Sequence, residues 1–235
     1  MKNLFMVAAT LMSCLAVNAQ INADKNGAAS SDMLIKTANP GANSHGMAFY
    51  HTNPPREVDG TLHLFDTWNN DAIIHTNDNQ RFLVRNVNLN IERNSFEAKV
   101  QGDSIFAFNF NNVKKTVING KVYKNYFWED DNRVYEVIHD DGTTQLLKGF
   151  KVNFVEGSAN PMLNRSFDRY VKKEYYFIRK DDKIKKFKLS KKNVLKLVDG
   201  DNGKADEIVD YAKNNKLSFS SENDIKKILE YSAKN

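Results

Sequence analysis

Residues 114–128 read KKTVINGKVYKNYFW, and this stretch decides the fold. Two runs rich in Val, Ile, Tyr and Phe follow a period of two and flank Asn119-Gly120, as expected for neighbouring β-strands. An Asn-Gly pair tolerates the positive φ angles that a two-residue hairpin turn requires. The stretch therefore predicts an antiparallel hairpin that joins residues 114–118 to residues 122–128.

The same pattern extends from Gly60 to about Leu189, with turn residues every eight to twelve positions. Asp140-Asp141-Gly142 predicts a second hairpin between residues 134–139 and 145–155. A third joins residues 174–178 to 184–189. Further strands are predicted at 61–65, 72–75, 82–91, 96–100 and 105–110. In the run Val87-Asn88-Leu89-Asn90-Ile91, the alternation predicts an apolar face and a solvated asparagine face.

After Leu189 the apolar residues recur at helical spacing. Ser190 is placed to cap a short helix, and a second helix is expected near residues 206–214. Ser221-Glu222-Asn223-Asp224 is close to a capping box, and it precedes an apolar stripe formed by Ile225, Ile228 and Leu229. The predicted fold class is α+β: a mostly antiparallel β-sheet or open barrel followed by three short C-terminal helices.

The first residues have the three-part pattern of a secretory signal peptide. Lys2 supplies the positive charge, residues 4–17 form an apolar core, and small residues lead to Ala19. The apolar run is shorter than the roughly 20 residues that cross a bilayer. We therefore expect cleavage after Ala19 and export to the periplasm, the outer membrane or the extracellular space. Cys14 ends a loose lipobox, so its lipidation stays an open alternative.

The chain is divided by these patterns into a signal peptide (1–19), a flexible N-terminal arm (20–58), an antiparallel β body (59–189) and a helical segment (190–235) packed on that body. Apolar residues make up 41% and charged residues 27%, which favours a folded protein over a disordered one. Cys14 is the single cysteine, so cleavage after Ala19 leaves no disulfide and no thiolate ligand. We expect no transmembrane segment in the mature chain.

No catalytic or cofactor motif stands out. The five histidines, which could in principle ligate a metal, share no helical or tight spacing: His45, His51, His63, His75 and His139. His63 and His75 lie in strands that could be neighbours. Paired aspartates fall at predicted hairpin tips, where aspartate favours the turn and stays solvated. We assign no catalytic, cofactor or metal residues and expect no cofactor.

Aromatic residues are abundant and most should fill the β core. The run Tyr126-Phe127-Trp128 cannot place all three rings on one face of a strand, so at least one ring lies outside or under the helices. An aromatic binding surface is therefore an open alternative.

Positive charge is concentrated in one segment. Residues 169–192 hold eleven basic and three acidic residues, against a net charge of +5 for the whole chain. The predicted patch for an anionic partner comprises Lys183, Lys185, Lys186, Lys188, Lys191 and Lys192. Lysines on an edge strand also prevent edge-to-edge aggregation, and this structural reading is an alternative.

Several segments resemble a group of uncharacterised exported proteins common in Bacteroidetes, above all in flavobacteria. The resemblance rests on the Ala19-Gln20 signal end and on segments that cover most of the body: 64–69, 86–88, 94–99, 103–105 and 217–219. It implies export and one fold, and no activity is attached to it.

The sequence predicts a non-enzymatic exported module that binds an anionic surface, a glycan or another envelope protein. Nucleic acid is not expected as a partner outside the cytoplasm. Two alternatives are a barrel-like carrier of an apolar ligand and a metal-dependent hydrolase. A carrier needs an internal cavity, and a hydrolase needs converging His and Asp side chains.

Overall fold

The computed structural model describes residues 29–30, 46–50, 58–100, 104–109, 112–158, 167–198 and 204–234. The predicted signal peptide, Cys14, His45 and His51 lie outside these residues, as does most of the predicted arm. Strands occupy the described chain up to residue 187, and helices follow. This order confirms the predicted α+β class.

The described strands are β1 (Ala29–Ser30), β2 (Gly46–Tyr50), β3 (Ala72–Thr76), β4 (Arg81–Val84), β5 (Val87–Asn90), β6 (Ser95–Lys99), β7 (Ser104–Phe108), β8 (Val113–Ile118), β9 (Lys121–Trp128), β10 (Asp131–Asp140), β11 (Thr144–Val155), β12 (Arg169–Lys180) and β13 (Lys183–Phe187). The described helices are α1 (Lys191–Val198), α2 (Ala205–Asn214) and α3 (Glu222–Ser232).

These strands form two sheets. The larger has the order β1-β4-β3-β8-β9-β10-β11-β12-β13, and the smaller has the order β2-β7-β6-β5. Among the described strand pairs, only the short β1–β4 pair is parallel, and an isolated bridge between Asp59 and Arg169 is parallel as well. Within the described residues, neither sheet closes into a barrel.

All three predicted hairpins are confirmed. β8 pairs with β9, β10 with β11, and β12 with β13, each antiparallel. At the first turn, Asn119 and Gly120 have φ angles of 51° and 76°, which is why this dipeptide suits the position. At the second, the Asp141 carboxylate accepts hydrogen bonds from the Thr143 and Thr144 amides at 2.8 and 2.6 Å.

One face of the larger sheet, which we call the inner face, carries two apolar clusters. At one end Ile74, Tyr123 and Val134 pack against the smaller sheet through Leu89, Phe96 and Phe106. At the other end Ile138 and Leu146 pack against the helices through Val194, Ile208, Ile225 and Ile228. The opposite, outer face carries a third cluster built on Tyr135, Leu147 and Phe177.

Residues 82–91 do not form one strand, which corrects the prediction. Asn86 has a φ of 55°, and this left-handed residue breaks the run into β4 in the larger sheet and β5 in the smaller. Because asparagine tolerates positive φ better than most residues, the chain can change sheets here.

The prediction of a solvated asparagine face on β5 is also wrong. Asn88 and Asn90 are 1% and 4% exposed, because the chain at residues 62–68 crosses over them. The side-chain amide of Asn88 accepts a hydrogen bond from the Phe65 backbone N–H at 3.0 Å and donates one to the Phe65 carbonyl at 2.8 Å. The predicted strand at 61–65 is reduced to one bridge between His63 and Asn90.

The helices begin close to where they were predicted, with one difference. Ser221 precedes α3 in an extended conformation but makes no side-chain hydrogen bond to the helix. The Glu222 carboxylate turns instead toward the sheet, where it accepts hydrogen bonds from Lys148 and Tyr176. The predicted capping box is therefore absent.

Candidate functional site: a basic groove

A groove of about 910 Å³ opens where the larger sheet divides. The β8–β9 ladder stops at Thr116 and Tyr123, whereas β8 stays paired with β3 and β9 stays paired with β10. The two strands therefore part, and Lys115 and Lys124 line the gap from opposite sides. The end of α3 contributes a further wall.

Basic side chains from distant parts of the chain meet in this groove. Its cations are Arg81, Lys114, Lys115, Lys124, Lys226 and Lys234, and its acids are Asp140, Asp141 and Glu230. Arg81 of β4 and Lys115 of β8 both lie directly opposite His75 of β3, one on each side. Arg81, His75 and Lys115 thus form a row across three adjacent strands, in which two cations flank one imidazole.

The acids of the groove neutralise little of this charge. The Lys124 ammonium lies 3.0 Å from the Asp140 carboxylate. Asp141 is bound to its own turn through the Thr143 and Thr144 amides. Among the residues that the structure describes, Arg81, Lys114, Lys115, Lys226 and Lys234 form no ion pair. Five cations are therefore available to a ligand.

The histidine pKa values report the electrostatics of the site. Burial lowers the pKa of His75, and the positive charges of Lys115, Arg81 and Lys114 lower it further. Burial also lowers the pKa of His139, and Lys226 adds to this, although Asp141, Glu230 and Asp140 oppose it. Both imidazoles are therefore predominantly neutral at pH 7.

The aspartates of the same hairpin stay ionised. Burial alone would raise the pKa of Asp140, but hydrogen bonds from Lys124, Gln145 and the Gly142 amide outweigh it, so the pKa is lowered. Asn125 adds an uncharged donor to the groove. Its side-chain nitrogen is buried and has no hydrogen-bond partner in the described part of the chain. Together the groove offers cations, imidazoles and an amide donor to an anionic group.

The predicted lysine patch does not line this groove. Lys183, Lys185 and Lys186 lie on β13, the last strand of the larger sheet, and Lys188, Lys191 and Lys192 follow it. All six side chains are exposed. The edge position agrees with the alternative that they protect the sheet from aggregation, and the groove lies several strands away.

The groove could not be predicted from the sequence because its residues come from six separate elements: β3, β4, β8, β9, β10 and α3. The adjacent pair Lys114-Lys115 was the one sign of a basic groove in the local sequence. Outside residues 169–192 the chain is close to neutral on average, which hid a basic cluster formed only by folding.

The histidines do not converge on a metal site. His63 contacts the smaller sheet, where its Nε2 lies 2.8 Å from the buried Glu97 carboxylate, whereas His75 belongs to the larger sheet. The expectation that their strands could be neighbours is therefore wrong. In the described ranges, no group of three or more His, Cys, Asp or Glu residues is placed to hold a metal ion.

The aromatic run Tyr126-Phe127-Trp128 alternates between the two faces of β9, as its sequence pattern requires. Phe127 is 67% exposed, while Tyr126 and Trp128 turn to the outer face and pack against Tyr135 and Phe177. Gly149 permits this packing, because a Cβ atom there would lie 2.9 Å from the Phe177 ring. Arg133 and Lys186 lie over the Trp128 ring, at 5.2 and 5.5 Å from its centre.

Comparison with known proteins adds no assignment: no family profile, no curated protein and no solved structure matches the chain. Of the helices that the structure describes, none combines the length and the apolar character needed to cross a membrane.

Proposed function

We propose that the protein is a non-enzymatic exported binding module that holds an anionic ligand in the basic groove. The observation that carries the proposal is the row of Arg81, His75 and Lys115 across three adjacent strands. The positive charges of Arg81 and Lys115 oppose protonation of the His75 imidazole between them, and an anion bound between the strands would offset those charges. The expected signal peptide and the resemblance to exported proteins support a role outside the cytoplasm.

The size and shape of the groove suit such a ligand. Ligand sites usually have volumes of roughly 300–1,000 Å³ and a few converging polar groups. A concave site lined by charges of one sign also concentrates counter-ions and accelerates their binding. The carrier of an apolar ligand and the metal-dependent hydrolase stay predictions, and the charged lining of the groove favours neither.

The test compares two variants that remove the same charge. In the first, Arg81, Lys114 and Lys115 are changed to Gln. In the matched control, Lys183, Lys185 and Lys188 on the predicted lysine patch are changed to Gln. Binding of a short galacturonate oligomer and of inorganic tripolyphosphate is measured by calorimetry at two salt concentrations, and the two probes separate carboxylate from phosphate ligands.

We expect the groove variant to bind at least one probe about tenfold more weakly or worse, and the control to bind within about twofold of the wild type. Binding of the wild type should weaken as salt rises, because exposed charges are screened. Equal weakening in both variants, or no binding of either probe to the wild type, would overturn the proposal.

A further inference from the structure

We propose that the anionic ligand is an extended acidic polysaccharide that runs from the basic groove along the outer face of the larger sheet. This inference rests on the proposed function, because the groove holds one end of the same chain. It adds a second surface and a chemical class of ligand.

A pair of like charges lies on the outer face, outside the groove. Lys151 of β11 and Lys173 of β12 are directly opposite each other, and both side chains are exposed. Neither forms an ion pair within the described residues. They share a face with Leu147 and Phe177, because the β11–β12 register is unbroken. Like charges directly opposite each other destabilise a sheet, and a bound anion would offset this repulsion.

Aromatic side chains connect the two cationic positions. Tyr126 and Val137 line the groove and also pack against the outer-face cluster of Tyr135, Leu147 and Phe177. Beyond them, Trp128 lies beneath Arg133 and Lys186. Tyr175, which is 41% exposed, lies beside Lys173 with only Gly149 opposite it. The outer face therefore carries aromatic rings and cations side by side, and we call this surface the track.

Two polar atoms along this track have no partner. The Tyr135 hydroxyl and the Arg133 Nε are buried and form no hydrogen bond in the described part of the chain. Buried donors without acceptors are uncommon in folded proteins. Sugar rings present apolar faces that suit aromatic side chains, and their acidic substituents suit Arg and Lys.

The length of the track favours a polymer. From Arg81 on β4 to Lys173 on β12 there are six steps between neighbouring strands. At roughly 4.8 Å a step, the two ends are roughly 30 Å apart along the sheet. A single phosphate or monosaccharide cannot reach both ends, whereas an oligosaccharide can.

A membrane surface fits the track less well than a polysaccharide. Phe127 and Phe154 are exposed apolar side chains that could enter a bilayer, but the strand alternation places both toward the inner side. On the outer face, Tyr135 and Phe177 are 1% and 5% exposed and do not protrude. Binding to anionic vesicles in place of soluble polymer would therefore contradict the inference.

The experiment uses galacturonate oligomers of increasing length with the full mature chain. One variant carries Lys151→Gln with Lys173→Gln, and its matched control carries Lys196→Gln with Lys213→Gln on exposed positions of α1 and α2. A third variant, Trp128→Ala, tests the aromatic track. Calorimetry gives the affinities, and urea unfolding verifies that each variant folds.

We expect wild-type affinity to rise with oligomer length until the chain spans the face. The Lys151/Lys173 variant should lose about threefold to tenfold for long oligomers and nothing for short ones, with no loss of stability. The helix control should match the wild type. Affinity independent of length, equal losses in the variant and its control, or capture by anionic vesicles alone would overturn the inference. The first two outcomes would leave the groove proposal standing, as long as the variant of Arg81, Lys114 and Lys115 still binds the short probes more weakly than the wild type.

Discussion

Lys148 is the residue on which the junction between sheet and helices depends. It is 5% exposed, and its ammonium group lies 3.4 Å from Glu136 and 3.0 Å from Glu222. Burial alone would lower the pKa of Lys148, but the hydrogen bond that it donates to Glu222 and the charges of Glu136, Glu222 and Glu174 outweigh it, so the pKa is raised above 10.5. The charge is therefore present at neutral pH, and its stabilising contribution is lost only as pH rises through that raised pKa.

Changing Lys148 to Met should lower the free energy of unfolding by about 3–5 kcal/mol, because Glu136 would lose the cationic partner that is buried together with it. The control is Lys121→Met. Lys121 also contacts Glu136, at 2.9 Å, but its side chain is 50% exposed, and its loss should cost less than about 1 kcal/mol. Urea denaturation measures both. Similar losses in the two variants would show that burial does not govern this network.

At the scale of elements, α3 is attached to the sheet by its first residue. Ile225 donates its amide hydrogen to the Ser221 carbonyl at 2.9 Å, but the Ser221 hydroxyl caps nothing. Glu222 instead accepts hydrogen bonds from Lys148 at 3.1 Å and from Tyr176 at 2.8 Å. The contact with the sheet has replaced the local cap.

Glu222→Ala should therefore cost about 1–3 kcal/mol, because two partly buried donors lose their acceptor. Ser221→Ala should cost less than about 0.5 kcal/mol, the usual range for a change that removes no specific contact. Hydrogen exchange of the α3 amides, together with urea unfolding, measures the difference. A larger loss of stability in Ser221→Ala than in Glu222→Ala would show that the capping box determines where α3 begins.

Rules that depend on neighbouring residues were sufficient to predict the hairpins, but they were not sufficient to predict the basic groove. Asn119-Gly120 and the period-two runs beside it depend only on neighbours in sequence, so the β8–β9 hairpin could be predicted. The burial of Asn88 depends on Phe65, which approaches through a long-range contact. The groove likewise needs the order β4-β3-β8, which places Arg81 and Lys115 on either side of His75. No sequence window contains that arrangement.

At the scale of the molecule, basic charge is divided between two surfaces. The exposed lysines of β13 and α1 form the sequence-visible patch, and the groove forms a second basic region where the sheet divides. The net charge of +5 does not distinguish them. Only variants matched in charge can assign binding to one surface.

Ligand affinity and stability should respond to pH with opposite signs. Both groove histidines have pKa values lowered from 6.5, so the unfolded chain binds their protons more readily than the folded one. Stability of the free protein should fall as pH drops below about 6.5. A bound anion raises these pKa values, so affinity should increase about threefold to tenfold between neutral pH and about pH 5.5.

The relevant charges face the histidines from several elements. Arg81, Lys114 and Lys115 act on His75, and Asp140, Asp141, Glu230 and Lys226 act on His139. A variant with both histidines changed to Gln should bind with much weaker pH dependence. Calorimetry across this pH range gives the answer, and an unchanged pH profile in the double variant would assign the effect to other groups.

The most direct test of the basic groove is an NMR titration of the histidine side chains with a short galacturonate oligomer. We predict that the ring signals of His75 and His139 shift to saturation and that the pKa of each imidazole rises on binding. His63, held by Glu97 against the other sheet, serves as the internal reference and should not shift. If the oligomer binds while His75 and His139 stay unchanged, or if His63 responds equally, the groove is not where the ligand is held.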